Sequence, residues 1–388
     1  MIRQAVIPAA GIGMRLRPHT FTCPKAMIPL ANRPAIDYTL DTLKRLGVEE
    51  TVLIVGYKKE ELINYLESKD YGMKLHYVEQ GKQLGIAHAI MQAKSLIKGP
   101  FIVLFGDTIF DGDLENTVKD FHKNGPSAEL SVKKEKDPSK FGVVVHDDWN
   151  VRRVIEKPEN PPSEFVITGF YIFHPEIFDF IKKAEPNKKG EYEITDAIQL
   201  MLDAGRKVRC KELTGSRFDV GRPEHLLEAN THFLKKIKPR NSGVLIGKKI
   251  TGIENAEIGE NATIVGPVKF AGSVSIGKNC KIGPKCEIKD SSIADGCEIK
   301  NTFLSGSMVQ ENSLIEYYGR VMESIIGKNC TLIRQVNRKG FGRPIGMGRK
   351  LIGKLTKRWG LKNSFFLSDE SQIIIGQEKL DTEEFKKK

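Results

Sequence analysis

The stretch Ala5-Val6-Ile7-Pro8-Ala9-Ala10-Gly11-Ile12-Gly13-Met14-Arg15-Leu16-Arg17-Pro18 decides how the first half of the chain folds. Its apolar opening reads as a buried first strand, and Pro8 marks where that strand stops. Gly11 and Gly13 then let backbone N–H groups approach a polyphosphate. Arg15, and ten residues later Lys25 behind Pro24, add two cations to the same loop region. The run lacks the Gly-Lys-Ser/Thr of a Walker loop and the third Gly of a dinucleotide fingerprint. Taken alone, its Gly-x-Gly is equally a tight turn.

Outward from this loop, short β-branched runs alternate with helical patterns over the first 240 residues. Strands are predicted at Ala5–Pro8, Thr51–Val55, Leu75–Val78, Phe101–Phe105, Leu130–Val132, Val143–His146 and Val166–Phe173. Helices are predicted at Ala35–Leu46, Glu60–Leu66, Ala87–Leu96, Thr195–Leu202 and Glu224–Lys236. This alternation is that of an α/β domain, a Rossmann-like, mostly parallel sheet with helices on both faces. Ligands of such sheets gather beyond the carboxyl ends of the strands.

Past Lys238-Pro239-Arg240-Asn241-Ser242-Gly243 the helical periodicity vanishes. An aliphatic residue now recurs in six-residue steps: Ile258 to Ile264, Ile276 to Ile282 to Ile288, Ile293 to Ile299, and Ile326 to Leu332. Such hexapeptide repeats predict a parallel β-helix of about five coils. Three segments are expected: a catalytic domain at 1–240, the β-helix at 243–335 and a basic extension at 336–388. Cys280, Cys286, Cys297 and Cys330 each stand two positions before an aliphatic anchor, where Ala256 and Ala262 stand in other repeats. They read as small buried apolar residues, not as zinc ligands.

The net charge of +12 is concentrated: Arg334 to Lys362 holds ten Lys or Arg residues and no acid. Arg349–Trp359 is predicted to form a basic amphipathic helix, with Leu351, Ile352, Leu355 and Trp359 on one face. That helix either packs on the β-helix or makes a weak contact with an anionic membrane surface or an acidic partner. No nucleic-acid reading motif accompanies the charge. The N-terminus has no signal-peptide pattern and no apolar run reaches the ~18–20 residues of a membrane span, so a cytoplasmic location is expected.

The pattern Gly11-x-Gly13-x-Arg15-Leu16-x-Pro18-x-Thr20-x-x-x-Pro24-Lys25 resembles the signature of sugar nucleotidyltransferases. The resemblance runs to about Leu332, through Gln80–Ala89, Phe105–Ile109, Glu156-Lys157-Pro158, Gly190–Ala197, Phe218–Gly221 and Gly319–Gly327. It is closest to the long form of glucose-1-phosphate thymidylyltransferase, which carries a left-handed β-helix. The resemblance implies transfer of dTMP or UMP from a nucleoside triphosphate to a sugar 1-phosphate, with pyrophosphate released.

It also implies roles. Ala10, Gly11, Gly13, Gln80 and Gly85 hold the nucleotide, and Gly142, Glu156 and Gly169 hold the sugar. Arg15, Lys25, Asp107 and Lys157 act on the phosphates, while Asp107 and Asp219 share one Mg²⁺. Thr195 and Asp196 read instead as residues that start and cap a helix. Outside the resemblance, the plain alternative for Gln80 is a solvated loop residue.

Three rival functions follow from the same residues. A bifunctional acyltransferase would need a catalytic His, and all eight His lie between His19 and His232, ahead of the repeats. A non-catalytic paralogue would have no use for Arg15, Lys25, Asp107 and Asp219 together. Guanylyl transfer to mannose 1-phosphate is the third. The β-helix is expected to assemble the chain into a homo-oligomer.

Overall fold

β1 (Gln4–Pro8) is buried along its length, and its alternate side chains enter two different cores. Val6 faces a core with Val103, Ala87 and Ile90, whereas Ala5 and Ile7 face one with Ile36, Leu40, Leu62 and Leu104. That two-sided burial is why the strand reads as a continuous apolar run. The structure is a computed structural model and describes residues 2–17, 19–334, 366–367 and 372–375.

In chain order, β1 is followed by a hairpin, β2 (Pro29–Leu30) and β3 (Arg33–Pro34), then α1 (Ala35–Arg45), β4 (Glu50–Val55), α2 (Lys59–Glu67) and β5 (Lys74–Glu79). Next come α3 (Ile86–Met91), β6 (Phe101–Leu104), β7 (Thr108–Asp113), α4 (Glu115–Asn124) and β8 (Ala128–Lys134). β9 (Gly142–Asp147), β10 (Asn150–Glu156), β11 (Phe165–Phe173), α5 (Ile177–Ile181) and α6 (Ile194–Asp203) follow. β12 (Val208–Glu212), β13 (Thr214–Asp219) and α7 (Pro223–Leu234) complete this part.

By its contacts the chain divides into two units. The first contains Met1–Gly13, Cys23–Met27 and Ala35–Val220; the second contains Met14–Thr22, Ile28–Pro34 and Gly221–Lys388. In the first, nine strands form one sheet in the order β5-β4-β1-β6-β11-β8-β12-β10-β9. β5, β4, β1 and β6 run parallel, as do β8 and β12, while β11, β9 and β10 add antiparallel pairs. This is the expected Rossmann-like α/β sheet. The strand order turns back at β1, whose neighbours are β4 and β6, so its carboxyl end opens a crevice for ligand. β7 and β13 form a separate antiparallel ribbon.

In the second unit, Arg240–Asn241, Ala256–Ile258, Val274–Ile276, Ser292–Ile293, Met308–Val309, Ile325–Ile326 and Phe366–Leu367 stack as parallel rungs. Partner residues follow each other by 16 to 18 positions from Ala256 to Ile325. The six-residue anchors all point inward: Ile258, Ile264, Ile276, Ile282, Ile288, Ile293, Ile299, Ile326 and Leu332 lie in one core. The four cysteines share it, buried and in no disulfide. Among the described residues, no group of three His, Cys, Asp or Glu could hold a metal.

Two features were not expected. The last rung comes from the extension, for Phe366–Leu367 pairs with Ile325–Ile326 and Gln372–Ile375 with Thr331–Arg334. The contact division also falls at Val220, ahead of the change of composition near residue 240. The reason is polar. Asn230 on α7 is fully buried, and its Oδ1 accepts from Ala31 N at 2.8 Å and from Ser292 Oγ at 2.9 Å. The hairpin adds a second tie, Asn32 Nδ2 donating to Ile293 O at 2.8 Å. The helix predicted at 349–359 lies outside the described residues.

Candidate active site

The loop after β1 is anchored by its neighbours. Ala10 O accepts from Gln83 Nε2 at 2.6 Å and from Tyr57 N at 3.3 Å. A Cβ on Gly56 would lie 2.8 Å from that of Ala10, so only Gly lets these two loops meet. Beyond the anchor, nothing lies within 4 Å of a Cβ built on Gly11, and Gly13 takes φ +69°. Arg15 follows, exposed, on a 3-10 turn, Met14–Leu16, whose Leu16 is buried and which groups with the second unit.

Asp107 stands just past β6, and Lys25 Nζ donates to its Oδ2. Burial pushes the Asp107 carboxyl up, but the Lys25 ammonium outweighs it and holds the pKa below the ordinary carboxylate value. Asp219 ends β13 directly opposite Thr108, and Val220 N donates to Asp107 O at 3.0 Å. The ladder thus makes neighbours of two aspartates that lie more than a hundred residues apart in sequence. Together they offer oxygen donors only, the set that suits Mg²⁺ with substrate phosphates completing its shell.

Gln80 is not a solvated loop residue but a buried one, at 5% exposure. Its backbone N bonds Val55 O at 2.9 Å, and its Nε2 reaches His88 Nδ1 at 2.9 Å and Gly85 O at 3.3 Å. Gly85 holds φ +95°, and a Cβ there would lie 2.6 Å from Tyr192 O. Tyr192 laces the same loop, donating its N–H to Leu84 O and accepting from Ala87 N. Gln83 and Tyr192 therefore shape the loop of Gln80 and Gly85. Neither was singled out individually in the sequence, because both act through backbone atoms of other residues.

On β9 and β10, Gly142 pairs with Glu156. A Cβ on Gly142 would meet Thr195 Cγ2 at 2.8 Å and Glu156 Oε2 at 3.3 Å. Gly169, at φ +92°, lies so close to the Phe105 ring that a Cβ would sit 2.9 Å from it. Lys157 takes φ +42°, its N–H bonds Phe141 O at 3.0 Å, and its Nζ pairs with Glu156 Oε1. Burial lowers the Lys157 pKa, but the Glu156 carboxylate more than restores it, and the net shift is upward. Thr195 does not cap α6. It lies inside the helix, and its Oγ1 donates to Glu156 Oε2 at 3.1 Å. Burial, then the charge of Glu156, raises the pKa of Glu193 and of Asp196. Gly142, Glu156 and Lys157 are thus brought together, as are Lys25, Asp107 and Asp219.

A profile described as Nucleotidyl transferase matches residues 4–236. The chain belongs to the nucleotidyl transferase family. A second profile, described as GMPPB C-terminal domain, matches residues 252–340 of this nucleotidyl transferase. It is 35% identical over 338 residues to the low-salt glycan biosynthesis nucleotidyltransferase Agl11 of Haloferax volcanii, covering 85% of this chain and 93% of the relative. It is 31% identical over 335 residues to a glucose-1-phosphate thymidylyltransferase of Streptomyces griseus, covering 84% and 92%. Among solved structures, UDP-glucose pyrophosphorylase complexed with UDP-glucose superposes with TM-score 0.57 at 27% identity, covering 61% of this chain and all of that one.

Proposed function

We propose that this nucleotidyl transferase joins a nucleoside triphosphate, UTP or dTTP, to glucose 1-phosphate and releases pyrophosphate. The observation that carries this reading is the pairing across β7 and β13 that sets Asp219 beside Asp107, with Lys25 on the Asp107 carboxylate. A cationic and acidic pair at that point suits a phosphoryl centre and needs no covalent nucleophile.

In this reading the sugar phosphate oxygen attacks the α-phosphorus in line, and pyrophosphate departs from the opposite side. The backbone N–H groups of Gly11 and Gly13, with Ala10 anchored behind them, hold the triphosphate. Arg15 meets its β- and γ-phosphates. Lys25 lies between the two anions and reduces their repulsion. Asp107 and Asp219 are the residues that would hold Mg²⁺, which when bound neutralises developing charge on the phosphates. Lys157 holds the sugar phosphate, Glu156 accepts from sugar hydroxyls, and Gly142 and Gly169 admit the ring. Gln80 and Gly85 hold the base. One methyl separates thymine from uracil, worth only about 1–3 kcal/mol, so both donors are used.

The rung stack is read as a left-handed β-helix that assembles copies of the chain into a homo-oligomer in the cytoplasm. Parallel pairing throughout and the match of residues 252–340 support the β-helix part. Pyrophosphate release from five nucleoside triphosphates against glucose, mannose and N-acetylglucosamine 1-phosphates tests the reaction. UTP and dTTP with glucose 1-phosphate should lead. Silence from every pair would sink the reading, and a preference for GTP with mannose 1-phosphate would move it to guanylyl transfer.

A further inference from the structure

Arg217, on β13, has no role in the reaction as proposed above, yet one of its guanidinium nitrogens is left without a partner. Its Nε is buried and has no hydrogen-bond partner. No carboxylate pairs with it among the described residues. Its Cζ lies over the ring of Phe141, 5.6 Å from the centroid. The chain satisfies a buried guanidinium elsewhere: Arg209 Nε donates to Asp120 at 2.9 Å and its Nη1 to Asn150 Oδ1 at 3.2 Å. A buried guanidinium N–H without an acceptor is costly, and a ring face returns only part of that cost. Such a donor is suited to an acceptor that arrives with substrate.

The surroundings identify that acceptor. Arg217 stands two residues before Asp219, so period two puts both on one face of β13. Its positive charge reaches Asp107 and Tyr171. On its other side is Phe141, whose carbonyl accepts the Lys157 N–H at 3.0 Å. Gly142, the next residue, opens onto Glu156 and Thr195. Arg217 thus spans the gap between the aspartates and the sugar side. The group that must occupy that gap during transfer is a phosphate, and a planar guanidinium fork matches its oxygens.

We propose that Arg217 binds the phosphate of the sugar 1-phosphate acceptor, together with Lys157. The proposal rests on the transferase reading and specifies how its acceptor site recognises an anion. A sugar lacking the 1-phosphate should gain nothing from Arg217.

The test compares wild type with Arg217→Met, which keeps an apolar stem against Phe141, and Arg217→Lys, which keeps the charge. KM is measured separately for glucose 1-phosphate and for the better of UTP and dTTP, and thermal unfolding checks each fold. Arg217→Met should raise the glucose 1-phosphate KM about tenfold to a hundredfold, with the nucleotide KM unchanged within about twofold. Arg217→Lys should recover part of that loss. An unchanged acceptor KM in both variants, or a rise confined to the nucleotide KM, overturns the proposal. If Arg217→Met proves unfolded, the Arg217→Lys comparison decides in the same way. Inactive wild type across the whole substrate panel would instead defeat the transferase reading.

Discussion

Gly85 combines φ +95° with a backbone contact that leaves no room for a Cβ. That region of conformation is essentially reserved for Gly, and forcing it costs of order 1–3 kcal/mol. Gly85→Ala should therefore displace the base loop and raise the nucleotide KM about tenfold, leaving the acceptor KM unmoved; steady-state kinetics with each substrate varied checks this. Asp107→Asn should lower turnover at least about a hundredfold. Its melting temperature should stay within a few degrees, since the side chain retains 37% exposure and a part-exposed ion pair adds little stability. Glu129, on β8, gives a different kind of test. It is fully buried, neither carboxylate oxygen has a hydrogen-bond partner, and burial followed by the charge of Asp120 raises its pKa to about 8. The folded state therefore keeps a proton that the unfolded state releases above about 4.5. Stability falls by about 1.4 kcal/mol per pH unit between about 4.5 and 8, and no further above that. Glu129→Gln should remove this slope, so its gain over wild type in urea unfolding should be larger at pH 8 than at pH 5. Asp107 was named in the sequence through the family resemblance, at a position just past an apolar strand. Arg217 and Glu129 were not, since what sets each apart is a missing partner, and partners are assigned only by the fold.

At the scale of elements, α6 reaches Glu156 through a hydroxyl. Thr195→Val keeps the shape but removes the donor to Glu156 Oε2. The acceptor KM should rise several-fold while the nucleotide KM holds; equal changes in both would show that the helix itself had moved. The central strands were readable because both faces are apolar, and the rungs because their period is fixed. β7 and β13 were missed for a physical reason. Thr108-Ile109-Phe110-Asp111-Gly112-Asp113 and Thr214-Gly215-Ser216-Arg217-Phe218-Asp219 are rich in Gly and Asp, which strands disfavour. They pair with each other outside the main sheet, and Gly112 and Gly215 face one another so closely that a Cβ on Gly215 would lie 2.6 Å from Gly112 Cα. The ribbon that carries Asp219 and Arg217 is thus specified by close backbone approach, which leaves no alternating pattern to read.

At the scale of the molecule, the last rung joins residues 366–367 and 372–375 to the stacked parallel strands. Leu367 is 4% exposed within that core, and the strands at 366–367 and 372–375 cover the edges of Ile325–Ile326 and Thr331–Arg334. A chain stopped after residue 334 should melt at lower temperature and aggregate, as uncovered parallel edges do, with pyrophosphate release per folded molecule preserved. Differential scanning calorimetry with light scattering checks both parts. Asn230 has a consequence for the gene as well as for the fold. Because one amide on α7 receives both Ala31 and Ser292, a recombination that joined the first 240 codons of one relative to the coil codons of another would separate residues selected to fit one another. Viable chimaeras should be those whose donor also supplies Ile28–Pro34 and α7, so inheritance of the coil is tied to a few codons near the start of the reading frame.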